Sequence, residues 1–138
     1  MWIDSGGLTL IQKEYWDTIE KLRLSLNKEL FLGLKNFEAH FALYLPGTFY
    51  KKHLDRFAKV KHRTISCVLY LKQGWEEKFG SQLRIYESDE EGKEKFTDII
   101  PEGGTFVCFR SDTIYHEVLP GEKERFSLTG WLKKEQVM

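Results

Sequence analysis

From Phe37 to Leu132 the chain is a succession of short runs in which apolar residues alternate with polar ones or follow one another unbroken. A period of two is the pattern of a strand with one face buried, and a short unbroken apolar run is that of a strand buried on both. Strands are expected at about 38–45, 48–53, 64–72, 82–87, 95–100, 104–110, 114–119 and 125–132. Turn residues fall between them, at Pro46-Gly47, Gly74, Gly80, Glu91-Gly92, Pro101-Glu102-Gly103-Gly104, Ser111-Asp112 and Pro120-Gly121. Eight closely spaced strands with turn signals indicate a mainly β fold, a sandwich or a barrel.

Ahead of the strands, from about 8 to 32, the period is helical: Leu10, Ile11, Tyr15, Ile19, Leu22 and Leu26 recur at three- and four-residue steps. Glu20, Lys21 and Arg23 read as its solvated side, and Gly33 as its stop. Ser25 and Asn27 are weak helix formers, so one helix and two helices with a break near Asn27 both fit. The helix is expected to cover one outer face of the sheet. No repeat, low-complexity tract or second unit is visible, so 1–138 reads as a single domain, a helix followed by a barrel over about 37–133.

With 41% hydrophobic and 14% aromatic residues in a chain of 138, there is ample material for one core. Lys plus Arg and Asp plus Glu number 21 each, a balance that gives no reason to expect nucleic acid or an anionic membrane as partner. There is no apolar run of about 18 residues to span a bilayer. Met1–Gly7 lacks the basic and apolar regions of a signal peptide. The two cysteines, Cys67 and Cys108, sit in apolar strand-like runs, where Cys behaves as a small hydrophobe. A reducing, cytoplasmic setting fits, and no disulfide framework is indicated.

His53-Leu54-Asp55 carries the first chemical signal. In an extended segment residues i and i+2 point the same way, so His53 and Asp55 can meet one metal ion while Leu54 faces away. Alone, the pair is better described as a surface His and Asp at a strand end. His116, in the run Ile114–Leu119, completes a set of two imidazoles and one carboxylate, the donors of a non-haem Fe(II) site with an open face. Arg125 follows across the Pro120-Gly121 turn. In an antiparallel hairpin a residue early in the second strand lies near one late in the first, which would bring Arg125 toward His116. Arg125, Ser127, Thr129 and Trp131 share one strand face. A guanidinium turned inward there needs an anion, and its planar fork suits a carboxylate. The alternative is an exposed Arg in the charged loop Glu122–Arg125.

Five stretches occur in order over about two-thirds of the chain: FALYLPGTFYKKHLD (41–55), RTISCVLYLKQGW (63–75), LRIYES (83–88), TDIIPEGGTFVCFRSD (97–112) and HEVLPGEKERFSLTGWL (116–132). With them the chain resembles the catalytic domain of the prolyl 4-hydroxylase branch of the Fe(II)/2-oxoglutarate dioxygenases. It is similar to the hypoxia-sensing prolyl hydroxylases and to their bacterial relatives.

The resemblance implies a double-stranded β-helix, a jelly-roll or cupin-like barrel of about eight strands with helix packed on one sheet. It implies that His53, Asp55 and His116 bind Fe(II) and carry the chemistry, and that Arg125 binds the distal carboxylate of 2-oxoglutarate. Tyr70 would share that carboxylate, with Thr129 a polar neighbour and Tyr44 close to metal and co-substrate. Tyr50 and Trp131 would line the entrance and the active centre. Arg56, in the basic segment 56–63, is a candidate for the substrate rim, although such runs are more often solvated loops. His40 matches no ligand and reads as a hydrogen-bonded structural residue; Glu117 reads as solvent-facing.

The implied reaction consumes O2 and 2-oxoglutarate, releases succinate and CO2, and hydroxylates a prolyl residue of a protein or peptide, with ascorbate supporting turnover. A free amino acid or other small molecule as substrate, and a non-catalytic metal-binding β-sandwich module, remain as alternatives. Relatives carry more helix and further strands ahead of the barrel, which leaves open whether Met1 is the natural start.

Overall fold

The computed structural model describes residues 2–3, 6–55 and 62–134. Its one α-helix, α1 (Leu10–Leu30), starts at a capping box: Thr9 Oγ1 accepts from the Gln12 amide, and Gln12 Oε1 accepts from the Thr9 amide. Asn27 does not break the helix. Its side chain reaches past the helix end and binds Leu34 twice, Nδ2 donating to Leu34 O (2.9 Å) and Oδ1 accepting from Leu34 N (2.7 Å). Phe31 takes a left-handed conformation and donates back to Asn27 O, which ends the helix two residues before Gly33. From Tyr15 onward the apolar stripe is inside, whereas Leu10 and Ile11 are exposed.

Nine strands follow from the described residues: β1 (Trp2–Ile3), β2 (Leu34–Tyr44), β3 (Tyr50–His53), β4 (Arg63–Tyr70), β5 (Leu83–Ser88), β6 (Glu94–Ile99), β7 (Phe106–Phe109), β8 (His116–Val118) and β9 (Arg125–Lys134). All eight expected strands are present. The ninth is β1, a two-residue pairing with β2, and β2 begins four residues earlier than the alternation suggested. The strands form two antiparallel sheets, a major one in the order β1-β2-β9-β4-β7 and a minor one in the order β3-β8-β5-β6. This is the expected jelly roll, built as two facing sheets and not as a closed barrel. No helix among the described residues is long and apolar enough to cross a membrane.

One expectation fails here. β8 and β9 do not form a hairpin: β8 pairs with β3 and β5, while β9 pairs with β2 and β4. The chain crosses between sheets at Gly121, which bridges Gly80 and accepts from the Gly47 amide. A Cβ at Gly121 would stand 1.9 Å from Ser81 Oγ and 3.0 Å from Ser81 Cβ, so a side chain there would have to displace the buried Ser81. His116 and Arg125 therefore reach one cavity from different sheets.

The strands of the major sheet serve two cores. On β4, Ile65 and Cys67 pack under α1 with Ile19, Leu34, Phe37, Leu128 and Leu132, while Val68 and Tyr70 face the minor sheet with Leu83 and Val118. Burial on both faces explains why this strand reads as an unbroken apolar run. Gly130 makes room for the Phe37 ring: a Cβ there would lie 2.6 Å from two ring carbons and 2.7 Å from Glu38 O. Gly130→Ala is expected to cost about 1–3 kcal/mol of stability through overpacking, read as a lower urea midpoint with an unchanged slope.

Candidate active site

His53 and His116 are cross-strand partners of β3 and β8 in the minor sheet. Their Nδ1 atoms lie 2.7 Å from Lys51 O and 2.9 Å from Ile114 O, in each case the carbonyl two residues earlier. A carbonyl only accepts, so both rings carry a proton on Nδ1 and turn Nε2 toward the cavity. Asp55, just past β3, brings Oδ1 to 3.2 Å from both Nε2 atoms. The chain departs from the strand after His53, yet the two-residue spacing still delivers both side chains to one point. The three donor atoms lie within 4.8 Å of one another and could hold a metal ion.

Asp55 is fixed from behind. Its amide donates to Ser111 O (2.8 Å), and Oδ2 accepts from Ser66 Oγ (2.8 Å) and from Trp131 Nε1 (3.0 Å). Ser111 Oγ lies 2.7 Å from Ser66 Oγ. Burial pushes the Asp55 carboxyl up, but hydrogen bonds from His116, His53 and Ser66 outweigh it and hold the group well below the usual carboxylate range. Asp55 thus stays an anion aimed by four contacts. Two imidazoles, one carboxylate and no thiolate form a donor set suited to Fe(II).

Arg125 opens β9 and is 4% exposed. Two of its guanidinium nitrogens, Nε and Nη1, are buried with no hydrogen-bond partner. Its Cζ lies 4.2 Å from the centre of the Tyr44 ring and 5.3 Å from that of Tyr70. A buried, unpaired guanidinium is costly and is built to receive an anion. Burial raises both tyrosines, with Arg125 opposing it, so the phenols remain protonated and able to donate.

One cavity of about 280 Å3 joins these groups; His53, Asp55, His116, Arg125, Tyr44, Tyr50, Tyr70, Thr129 and Trp131 all line it. Tyr50 stands half exposed against His53, ring centres 4.2 Å apart. Thr129 Oγ1 is held 2.9 Å from Ser127 Oγ. Trp131 packs against the Arg63 guanidinium (3.7 Å) and the His40 ring (5.5 Å). Arg56 lies outside the described residues, as does most of the basic segment.

His40 departs from expectation. Its Nδ1 is buried with no partner, and the ring is kept in place by stacking between aromatic neighbours, with Trp2 on β1 adding a second contact. Glu117 faces away from the metal donors and accepts from the Tyr86 hydroxyl.

Ser66 and Ser111 were not singled out by sequence. Ser66 did carry a signal, a hydroxyl on the same strand face as Val68 and Tyr70; Ser111 sits in a turn and carried none. Residues that orient a metal ligand matter almost as much as the ligand. Ser66→Ala is expected to lower Fe(II) affinity about ten- to a hundredfold, measured by metal titration of the purified protein.

The family model of the 2OG-Fe(II) oxygenase superfamily matches residues 39–133. The fold is similar to a Pseudomonas putida prolyl-4-hydroxylase at a TM-score of 0.87, with 46% identity, over 99% of this chain and 71% of that one. It is also similar to a Trichoplax adhaerens prolyl hydroxylase solved with a hypoxia inducible factor peptide fragment, at a TM-score of 0.80, 24% identity, and 97% and 61% of the two chains. The Mus musculus prolyl 3-hydroxylase OGFOD1 is 33% identical over 79 residues, which are 53% of this chain and 14% of that protein. The chain thus spans a small part of that curated relative. With the family match running from Ala39 in β2 to Lys133 in β9, the chain belongs to the 2OG-Fe(II) oxygenase superfamily.

Proposed function

We propose that this protein hydroxylates a prolyl residue of a protein or peptide, consuming 2-oxoglutarate and O2 and releasing succinate and CO2. The observation that carries the reading is the buried guanidinium of Arg125, without a partner, opening on the same cavity as the His53, Asp55 and His116 donors. The 46% identity to the Pseudomonas putida prolyl-4-hydroxylase supports the choice of proline.

In this reading His53, Asp55 and His116 hold Fe(II), and three protein donors leave its remaining positions to small ligands. Arg125 binds the distal carboxylate of 2-oxoglutarate through its fork, and the Tyr70 hydroxyl donates to the same carboxylate. Thr129 adds a polar neighbour, and Tyr44 covers the guanidinium. When bound, Fe(II) supplies the coupling of O2 reduction to oxidative decarboxylation of the 2-oxo acid. Val68, Leu83, Phe109 and Val118 line the cavity between these groups and exclude water, which strengthens the charge pairing inside. Tyr50 and Trp131 shape the entrance that presents the prolyl ring. The work of the protein is to hold one C–H bond in a fixed pose toward the metal. Ascorbate supports turnover, and the compartment is the cytoplasm.

The test incubates the protein with Fe(II), 2-oxoglutarate, ascorbate and proline-bearing peptides of cytoplasmic proteins. Succinate is expected in equal amount to a peptide heavier by one oxygen atom on proline. Succinate coupled only to a free amino acid or another small molecule would overturn the peptide substrate. A lack of succinate under every condition would leave a metal-binding module.

A further inference from the structure

Cys67 and Cys108 are the only cysteines of the chain, and neither has a part in the site described above. They stand directly opposite one another on β4 and β7. The parity of that ladder is set by the bond from the Tyr70 amide to Thr105 O (3.0 Å). Antiparallel pairs alternate between hydrogen-bonded and non-hydrogen-bonded, so the 70/105 and 68/107 pairs are of the first kind and 67/108 of the second. In a non-hydrogen-bonded pair the Cα atoms lie about 4.5 Å apart and the side chains approach most closely. That is the short end of the range of about 4.4–6.8 Å that disulfides span.

As cross-strand partners, the two side chains lie on the same face of the sheet. A hydrogen bond from Cys67 holds the Cys108 thiol below its usual range, and the same bond, with burial, pushes Cys67 up. Cys108 is exposed and Cys67 buried, so one sulfur meets solvent and the other waits behind it. This is the arrangement of an attacking thiol with a resolving partner.

We propose that Cys67 and Cys108 are a redox modification site, closed reversibly into an intrachain cross-strand disulfide by a low-molecular-weight disulfide such as oxidised glutathione. The Cys108 thiolate attacks one glutathione sulfur, the S–S bond of glutathione breaks, and one glutathione thiolate leaves. Cys67 Sγ then attacks the mixed disulfide at Cys108, displacing the second glutathione, which leaves with the Cys67 proton. Two thiols are oxidised and one glutathione disulfide is reduced to two thiols. The bridge ties down β7, the edge strand of the major sheet, whose other lateral side has no strand partner among the described residues. Phe109, next to Cys108, lines the cavity and packs edge-on against His116 with ring centres 4.9 Å apart. The bridge therefore fastens a strand that forms part of the active-site wall.

The full chain, loaded with Fe(II), is equilibrated without O2 in oxidised glutathione, and intact mass and tryptic peptides are read before and after dithiothreitol. The expected result is a monomer lighter by two hydrogens, a peptide pair joined through Cys67 and Cys108, and full reversal on reduction. Cys67→Ser is expected to leave a glutathione adduct on Cys108, and Cys108→Ser to leave the chain unmodified, since Cys67 is buried. A stable glutathione adduct on the unsubstituted chain, a bridge between two chains, or no change at all would overturn the proposal.

Discussion

His116→Ala is expected to abolish iron-dependent succinate formation and to leave the purified protein without stoichiometric Fe(II). His53, Asp55 and His116 form the only cluster of three metal-capable side chains among the described residues, so no neighbouring group stands ready to replace a lost donor. The effect should exceed that of removing an orienting group such as Ser66, because the bond to the metal itself is lost and not its aim. Histidine 116 is 6% exposed and its Nδ1 is already committed to Ile114 O, so alanine also opens a hole at the floor of the cavity. Metal content by elemental analysis, compared with circular dichroism of the same sample, separates a lost donor from a lost fold. A folded variant with full iron content would remove His116 from the ligand set. His116→Gln, which restores volume but not the imidazole donor, should recover stability without recovering turnover.

Arg125→Ala carries the second large effect. A carboxylate that enters the cavity and finds no guanidinium loses a charge-assisted pair in a site from which water is largely excluded. The expected cost is about 2 kcal/mol or more of 2-oxoglutarate affinity, about thirtyfold. It should appear as a raised KM for 2-oxoglutarate and as loss of the thermal stabilisation that the co-substrate gives the unsubstituted protein. Fe(II) content should stay unchanged, because Arg125 makes no contact with the three donors in the hydrogen-bond and ion-pair network. Arg125→Lys keeps the charge but not the fork and should recover only part of the affinity. If 2-oxoglutarate bound Arg125→Ala as tightly as before, the co-substrate would lie elsewhere in the cavity.

The strands were legible because their signals are local. Each is a few residues of alternating or unbroken apolar character between turn formers, and neither depends on what the strand pairs with. The β8-to-β9 connection shows the limit of such signals. Pro120-Gly121 reads as a hairpin turn in isolation, and only the close approach of Gly121 to Ser81 and the pairing of each strand with distant partners send the two into different sheets. Asn27 shows the same limit at a helix end. Its low helix propensity suggested a break, whereas its side chain is spent on Leu34, a contact that exists only once the chain has turned back.

For the site, spacing and residue type carried the donors. His53-x-Asp55 points two donors one way in any extended segment, and the inward stripe of β9 follows from strand alternation. What spacing did not carry was the support. Ser111 behind Asp55 and the packing of His40 and Arg63 on Trp131 are contacts between segments far apart in the chain.

By itself, then, the sequence determined the helix and the eight main strands and singled out His53, Asp55, His116 and Arg125 as candidate donors and carboxylate partner, because periodicity and side-chain chemistry are properties of short segments. Only the tertiary structure decided that His116 and Arg125 line one cavity from different sheets, that the Arg125 guanidinium is buried, and that Cys67 stands opposite Cys108. Each of these depends on which strands lie side by side and which face is closed to water, and that is settled by the summed packing of two cores and not by any one run of residues.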